Sequence, residues 1–377
     1  MQEIYLDNAA TTRPLVSLRG VLENYLDSGW YNPSALYAPA VFDAKKMEAA
    51  REIVKKGFGQ MEAFFTSSGT EADAAVIFCG ARKQKSMHYI TSEVEHAGVY
   101  QSMARLAEEG REVTFIRPDR HGIVRPEDVA REVRPDTALV SVMHVNNQTG
   151  AVNDIAAIAR AVKAKNNKTL FHSDGVQAYL RVPGPDTADI DYYTISAHKI
   201  HGLKGVGAVL YKKGAPLQPL IPGGGQEKGL RSGTENTFGI AAFAHAAEFF
   251  MQRREEFTNS LAELKDIFLE EIAQLSGVEV LSPPDGAPHI VCLSIEGVRG
   301  EVLLHALEAK KIYISTGSAC TSKKGVGRVG QGLGLTRTEA EGVVRISFSP
   351  FNTPDEAAEA ADQMAEIAEE LRRFVRK

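Results

Sequence analysis

The chain has 377 residues, of which 44% are hydrophobic and 24% charged, and its formal net charge is -5. This is the composition of a globular protein, and the length favours two domains over one. So small a charge gives no reason to expect binding to nucleic acid or to an anionic membrane surface. The most apolar candidate span, GIAAFAHAAEFF, carries His245 and Glu248 and is too short to cross a bilayer.

The three cysteines, Cys79, Cys292 and Cys320, are odd in number and far apart. No CxxC or Cys/His pair has the spacing of a zinc site, so neither a disulfide scaffold nor a metal is expected. Cys79 and Cys292 stand in apolar runs and are interpreted as buried packing residues, whereas Cys320 stands in the polar stretch STGSACTSKKGVG. Because no secretory leader is visible, we expect a reducing, cytoplasmic setting.

Short β-rich runs alternate with helical patterns through most of the chain. The helical patterns include HAGVYQSMARLAEE and DIAAIARAVKAK, and the β-rich runs lie at 112–116, 138–143, 168–174, 191–196 and 206–211. This alternation predicts a mostly parallel sheet with helices on both faces. In such sheets ligands bind outside the carboxyl ends of the strands.

From about residue 236 the pattern changes. A long helical stretch is predicted from residue 236 to about 275, followed by strands at 289–295 and 343–349 with a helix around 300–310 between them. The chain ends in an amphipathic helix that begins at Thr353 and Pro354, a capping residue followed by proline at the first helical position. We therefore predict a large α/β domain followed by a smaller α+β domain.

Two residues with complementary chemistry follow neighbouring predicted strands. The run KTLFHSD ends in Asp174, and Lys199 comes just after the run DYYTIS. A carboxylate at a strand end that faces a crevice needs a cationic partner, since burial disfavours its charge. Pyridoxal phosphate (PLP) requires both a lysine for a Schiff base and a carboxylate for its ring nitrogen. The pair therefore predicts a PLP site.

A third motif supplies a place for a phosphate. FFTSSGTEADAAVIF predicts a strand, a Ser/Gly/Thr turn and a helix that begins near Thr70. Free backbone N–H groups at that helix start, with Ser68 and Gly69, form an anion cradle. Taken alone, SSGTE is equally compatible with a simple N-cap. Combined with Asp174 and Lys199, it favours a bound phosphate.

Ten motifs between residue 5 and about residue 353 occur in a specific order: YLDNAATT, NPSALY, TSSGTEA, EVEHAGV, VNNQTG, HSDGVQ, SAHKIHGLKGVG, GLRSGTEN, STGSACTS and VRISFS. As a set they resemble the cysteine desulfurases of the NifS/IscS type, in the class V aminotransferase group of fold-type-I PLP enzymes. The resemblance implies an aspartate-aminotransferase-like fold. Its large domain would comprise residues 15–255, and its small domain residues 1–14 and 256–377.

The resemblance also implies roles for individual residues. Lys199 matches the Schiff-base lysine, Asp174 the partner of the ring nitrogen, and His96 the imidazole stacked on the ring. The other implied cofactor ligands are Gln177 and Asn147 near the phenolic oxygen, Gly69, Thr70, Ser196 and His198 at the phosphate, and Thr234, donated to the phosphate by a second subunit.

On the substrate side, Arg345 matches the arginine that grips the substrate carboxylate, with Asn147 beside it, and Cys320 matches the sulfur-accepting cysteine. The implied activity is that of a PLP-dependent L-cysteine desulfurase that releases L-alanine and holds the sulfur as a persulfide on Cys320. The implied partners are a second copy of the chain and an acceptor protein, either an iron–sulfur scaffold or a tRNA-thiolation enzyme. The form STGSAC indicates the long-loop subclass.

Other interpretations remain open at this stage. The same fold serves selenocysteine lyases and aminotransferases, and a PLP-binding but catalytically quiet partner protein would carry much of the same motif set. His198 and His201 are also compatible with loop residues, Arg345 with a structural ion pair, and Lys204 with a solvated loop lysine.

Two departures from the family pattern concern the substrate entrance and the cysteine segment. Tyr37 stands where relatives often have His, and KKGVGRVGQGLG replaces a Pro-Ser helix start after the cysteine. Lys323 and Lys324 either favour the thiolate or are simply solvated. The glycines of this segment, at 317, 325, 327, 330, 332 and 334, predict a tether that swings.

Overall fold

A computed structural model describes residues 3–80, 88–316 and 326–375. Its strands are β1 (Ile4–Tyr5), β2 (Met61–Thr66), β3 (His88–Ser92), β4 (Glu112–Ile116), β5 (Thr137–Ser141), β6 (Leu170–Asp174), β7 (Tyr192–Ser196), β8 (Gly207–Lys212), β9 (Val278–Val280), β10 (Ile290–Ile295), β11 (Ile312–Tyr313) and β12 (Val343–Ser347). Cys320 lies outside the described residues.

The helices surround these strands. They are α1 (Leu18–Ser28), α2 (Ala38–Val54), α3 (Gly69–Ala75), α4 (Ala97–Glu108), α5 (Pro126–Glu132), α6 (Ile155–Lys165), α7 (Thr237–Gln252), α8 (Arg254–Ile272), α9 (Gly300–Ala309), α10 (Arg328–Gly332), α11 (Arg337–Glu341) and α12 (Pro354–Val375). None of the helices in the described ranges is both long enough and apolar enough to span a bilayer.

Seven strands form the central sheet in the order β2-β8-β7-β6-β5-β3-β4. The pairings from β7 to β4 are all parallel, whereas β8 runs antiparallel to both β7 and β2. The predicted mostly parallel sheet is therefore confirmed. Because β6 and β7 are parallel neighbours, with Asp174 opposite Thr194, their carboxyl ends meet at one edge of the sheet.

Both faces of the sheet are covered, which explains the nearly continuous apolar character of its middle strands. Successive residues point to opposite faces, so Val140 and Tyr193 join one hydrophobic core, and Leu139 and Tyr192 join the other. Amphipathic helices supply the opposing side chains, such as Ile158 of α6. Burial on both faces holds the strand ends in place and so orients the residues that follow them.

The remaining strands form two small sheets around a hydrophobic core separate from those of the large sheet, called the second core below. Strands β12, β10 and β9 make an antiparallel sheet, and β1 pairs in parallel with β11. Helices α8 and α12 pack on them through residues such as Phe268 and Met364. The division of the chain into domains at residues 14 and 255 stays a prediction.

One predicted element is two in the structure. The helical stretch from residue 236 to 275 breaks at Arg253 into α7 and α8. Helix α7 buries Phe243 and Phe250 in the core of the large sheet, whereas α8 buries Leu264 and Phe268 in the second core. Because the two segments pack on different cores, a single straight helix cannot serve both.

Candidate active site

A cavity of about 490 Å³ lies at the carboxyl ends of β6 and β7. Its walls bring together residues separated by more than 270 positions in the sequence. Among the predicted site residues, those that line it are Gly69, Thr70, His96, Asn147, Asp174, Gln177, Ser196, His198, Lys199 and Arg345. Thr234 is exposed and is not one of the lining residues.

Asp174 is the last residue of β6 and is 4% exposed. Burial raises the pKa of its carboxyl group, while His96, the backbone N–H of Val176 at 2.9 Å from Oδ1, and Lys199 all act in the opposite direction. The residue after it must be glycine, because a Cβ on Gly175 would lie 2.0 Å from the ring of Tyr193. Packing therefore presents Asp174 to the cavity.

Lys199 ends the single 3₁₀ turn that follows β7. Its ammonium nitrogen donates hydrogen bonds to the backbone carbonyls of Ala9 at 2.5 Å and Ala10 at 2.8 Å. Burial lowers the pKa of the amine to about 7, and the positive charges of Arg345 and Arg181 add to this effect. An amine with this pKa is available in its neutral, nucleophilic form near neutral pH.

The predicted phosphate cradle is the turn between β2 and α3. Ser68 is the N-cap of α3 and accepts a hydrogen bond from the backbone N–H of Glu71 at 3.1 Å, so the capping interpretation is confirmed. Gly69 is required by close packing, since a Cβ there would lie 2.8 Å from Val176. Ser196 also lines the cavity, and its buried hydroxyl has no hydrogen-bond partner among the described residues.

His96 is the N-cap of α4 and opens onto the cavity. Its Nδ1 accepts a hydrogen bond from the backbone N–H of Gly98 at 3.1 Å, so in the neutral ring the proton resides on Nε2. The cavity walls desolvate the ring and lower the pKa of the imidazole. Neutral His96 is thus arranged as a donor through Nε2.

Arg345 reaches the cavity from β12, in the second core. Its guanidinium donates to Oδ1 of Asp7 at 2.7 Å and to the carbonyl of Asn147 at 2.7 Å, so the ion-pair interpretation is confirmed. Its Nε has no partner among the described residues and is buried. The residue therefore combines an ion pair that fixes its orientation with donors left for an anion.

Two residues that follow Lys199 closely in the sequence, His201 and Lys204, have no part in the cavity. His201 is buried, bonds the carbonyl of Arg13 and the hydroxyl of Ser349, and stacks on Phe250, which gives it a packing role. Lys204 is exposed, as expected of a solvated loop lysine. The two other cysteines within the described ranges, Cys79 and Cys292, are buried as predicted.

Three ionisable residues that were not among the predicted site residues also line the cavity: Asp73, Glu95 and Arg328. Arg328 donates to the carbonyls of Glu93 and Glu95, the latter at 2.6 Å, and its guanidinium carbon lies 4.0 Å from the centre of the Tyr100 ring. Asp73 lies three residues after Thr70, and Glu95 directly precedes His96, so their position beside predicted site residues was a signal for both. Arg328 had no such signal, because it reaches the cavity only through long-range packing.

The predicted glycine tether is wrong for its C-terminal part. Gly330 and Gly332 are buried within α10, and a Cβ on Gly332 would lie 2.8 Å from Val94. The absence of a side chain at Gly332 allows α10 to approach the turn between β3 and α4 closely. Gly317 and Gly325, with Lys323 and Lys324, lie outside the described residues.

Comparison with known proteins supports the family suggested by the motifs. The model of the family "Aminotransferase class-V" matches residues 4–359. The chain is 38% identical over 375 residues to a NifS/IcsS protein homolog of Lactobacillus delbrueckii subsp. bulgaricus, covering 97% of each chain. It is 34% identical over 376 residues to the cysteine desulfurase IscS of Methanosarcina thermophila, covering 98% of this chain and 93% of that one.

A solved structure described as a NifS-like protein superposes with a TM-score of 0.91 at 33% identity, covering 97% of this chain and 99% of that one. The chain belongs to the class V aminotransferase family. Within that family it belongs to the NifS/IscS group. The fold-type-I architecture expected from the sequence is therefore confirmed.

Proposed function

We propose that the protein is a PLP-dependent L-cysteine desulfurase that converts L-cysteine to L-alanine and holds the sulfur as a persulfide on Cys320. The observation that carries the proposal is the juxtaposition of buried Lys199 and Asp174 at adjacent strand ends in one cavity. The membership of the NifS/IscS group, whose relatives include proteins named cysteine desulfurase, supports the choice of reaction.

The polar groups that line the cavity fit PLP. Gln177 Oε1 and Ser196 Oγ are buried in its wall without hydrogen-bond partners among the described residues, which is costly unless a ligand supplies them. Asp174 would hold the ring nitrogen, Gln177 and Asn147 the phenolic side, and the Gly69–Thr70 turn with Ser196 and His198 the phosphate. When bound, PLP supplies an aldehyde for amines and a ring that withdraws electrons from the substrate Cα.

The remaining steps depend on side chains of this chain. Arg345 would bind the substrate carboxylate, and a bound carboxylate fixes the orientation of the bonds at Cα. The amine of Lys199, whose pKa burial lowers to about 7, would accept the Cα proton. His96 would donate a proton from Nε2, the nitrogen left free by its bond to Gly98.

Sulfur transfer requires the thiolate of Cys320, which lies outside the described residues. The thiolate forms a bond to the substrate sulfur while the bond between that sulfur and Cβ breaks, and its electron pair remains with Cβ. Protonation of Cβ and return of a proton to Cα then give alanine, and the sulfur stays on Cys320 as the persulfide. The persulfide then passes to an acceptor protein, an iron–sulfur scaffold or a tRNA-thiolation enzyme. A cytoplasmic setting and the long-loop subclass are part of this proposal.

The proposal includes a homodimer, in which Thr234 of one subunit would contact the phosphate of the PLP bound in the partner subunit. In support, Thr234 lies on the surface, and large apolar side chains including Trp30, Leu36 and Phe42 are more than half exposed. Trp30 is the single tryptophan. We expect its emission to shift to the red on dilution as it becomes hydrated, with a matching fall in sedimentation coefficient. A monomer at all concentrations would contradict the dimer.

The decisive experiment measures alanine released from L-cysteine by Cys320→Ala and by a matched control, Cys79→Ala. We expect Cys320→Ala to lose alanine release while it keeps bound PLP, since the thiol acts only on the substrate sulfur. Cys79→Ala, a buried cysteine outside the cavity, should retain activity. Full activity of Cys320→Ala on L-cysteine would point to a transaminase or a lyase that needs no thiol.

A further inference from the structure

Asp73 lies one turn into α3, directly beyond the proposed phosphate cradle, and its side chain lines the cavity. The residue is 1% exposed. Its Oδ1 accepts a hydrogen bond from the hydroxyl of Thr194 at 2.6 Å, whereas Oδ2 has no partner among the described residues. A buried carboxylate oxygen without a partner is costly, and a protonated carboxyl group removes most of that cost.

A second carboxylate stands beside it. An oxygen of Asp73, an oxygen of Asp174 and a ring nitrogen of His96 all lie within 4.8 Å of one another. Two buried carboxyl groups this close do not both ionise, because like charges repel strongly where water is excluded. This proximity favours the state in which the pair holds one proton and one negative charge.

The surroundings decide which member keeps the proton. Asp174 has the backbone N–H of Val176 and the positive charge of Lys199 in favour of its ionised form. Burial, together with the negative charge of Asp174, raises the pKa of Asp73 well above the ordinary value.

The other titratable groups around Asp73 do not offset this effect. Glu95 has its pKa raised to about 8 by burial and is neutral at pH 7. His172, whose Nε2 lies 3.7 Å from Asp73 Oδ1, has its pKa lowered to about 3 by burial and brings no positive charge. Burial also lowers the pKa of His96, so that ring brings no positive charge at pH 7. Among the described residues, the Thr194 hydroxyl is then the one group that favours the ionised form of Asp73.

We infer that Asp73 is a positioning residue that holds the proton of the Asp73–Asp174 pair, so that Asp174 remains ionised and faces the ring nitrogen of the cofactor as a carboxylate. The inference rests on the proposed PLP site. It assigns a task to a residue that the sequence motif TEADAA presents as an ordinary helical side chain.

The test compares Asp73→Asn with Asp73→Leu. Asparagine resembles the protonated acid, since its amide oxygen accepts from Thr194 and its NH₂ group donates where Oδ2 carried the proton. We expect the dissociation constant for PLP, titrated into the apoprotein, to stay within about threefold of the wild-type value in Asp73→Asn and to rise about tenfold or more in Asp73→Leu. If Asp73→Leu does not fold, Asp73→Ser serves in its place.

A more than tenfold weaker affinity in Asp73→Asn would overturn the inference, because it would mean that the ionised form is required. Unchanged affinity in Asp73→Leu would also overturn it. Asp191→Asn provides the control, since Asp191 is a buried carboxylate outside the cavity and paired with Lys163. It should lower thermal stability without changing PLP affinity. Failure of the wild-type protein to bind PLP would refute the proposed function itself.

A second measurement needs no cofactor. The pKa of the Asp73 carboxyl group is higher in the folded protein than in the unfolded chain. Its contribution to the free energy of unfolding is therefore complete below the unfolded-state pKa of that group and is lost as the pH rises through the folded-state pKa. We expect the melting temperature of the apoprotein to fall more between pH 6 and pH 9 in the wild type than in Asp73→Asn. Parallel curves for the two proteins would show that Asp73 does not hold the proton.

Discussion

The cavity has two walls of different origin. The strand-end wall, formed by Asp174 and the turn that carries Lys199, consists of residues that directly follow neighbouring strands of one sheet. The C-terminal wall, formed by Arg328 and Arg345, is held by hydrogen bonds to residues between 198 and 338 positions away. The strand-end wall depends on local strand geometry. The C-terminal wall depends on the packing of the C-terminal part of the chain against the large sheet and the loops that follow its strands.

This difference predicts different sensitivities. A substitution in the strand-end wall removes a reacting group but leaves the fold of the sheet in place. A substitution in the C-terminal wall changes how a substrate or a neighbouring turn is held, and its effect grows with the hydrogen bonds that the new side chain cannot form.

The largest effect is expected for Lys199→Ala. The variant loses both the amine that attaches the cofactor and the base that accepts the Cα proton, so alanine formation should fall about 10³-fold or more. Borohydride treatment followed by mass spectrometry should find no covalently fixed cofactor. Lys204→Ala, five residues away and exposed, is the matched control and should behave as wild type. Equal losses in the two variants would remove the distinction between the two lysines.

Arg345→Lys should show the next largest effect. Lysine keeps the positive charge but cannot serve Asp7, the Asn147 carbonyl and a substrate carboxylate together, as the planar guanidinium can. We expect KM for L-cysteine to rise about 10- to 100-fold, with a smaller change in kcat. Arg337→Lys, which alters an exposed arginine paired with Glu341, is the control. An unchanged KM would confine Arg345 to its structural ion pair.

The pH dependence of cofactor capture tests the strand-end wall alone. Because burial and nearby positive charges lower the pKa of Lys199 to about 7, the neutral fraction of the amine declines below that pH. The rate of PLP capture by the apoprotein, followed by stopped-flow absorbance, should fall about fivefold from pH 7 to pH 6. A profile whose midpoint lay near the ordinary lysine value would show that the amine is not perturbed.

The smallest effect is expected for Arg328→Met in the C-terminal wall. The substitution removes two hydrogen bonds to the turn that carries Glu95 and His96, together with the packing over Tyr100, but no reacting group. We expect kcat/KM to fall about threefold, and PLP affinity to change less. A loss as large as that of Lys199→Ala would instead place Arg328 among the reacting groups.

Much of the strand-end wall was predictable. Asp174 and Lys199 each follow an apolar run, and the parallel pairing of those runs places both residues at one edge of the sheet. The Ser68–Thr70 turn was predictable in the same way, from a strand followed by a capped helix. The break between α7 and α8 was not, because both halves have helical patterns and only their packing on separate cores reveals the change of direction.

The sequence by itself determined the alternation of strands and helices, the strand-end positions of Asp174 and Lys199, and the motif set that assigns the family. The tertiary structure alone decided the partners of Arg345, the place of Arg328 and the burial of Asp73 beside Asp174. The physical reason is the separation along the chain over which each kind of interaction acts. Periodicity and turn chemistry act over a few residues, whereas burial, charge pairing and shifted pKa values arise only after distant segments exclude water from a shared space.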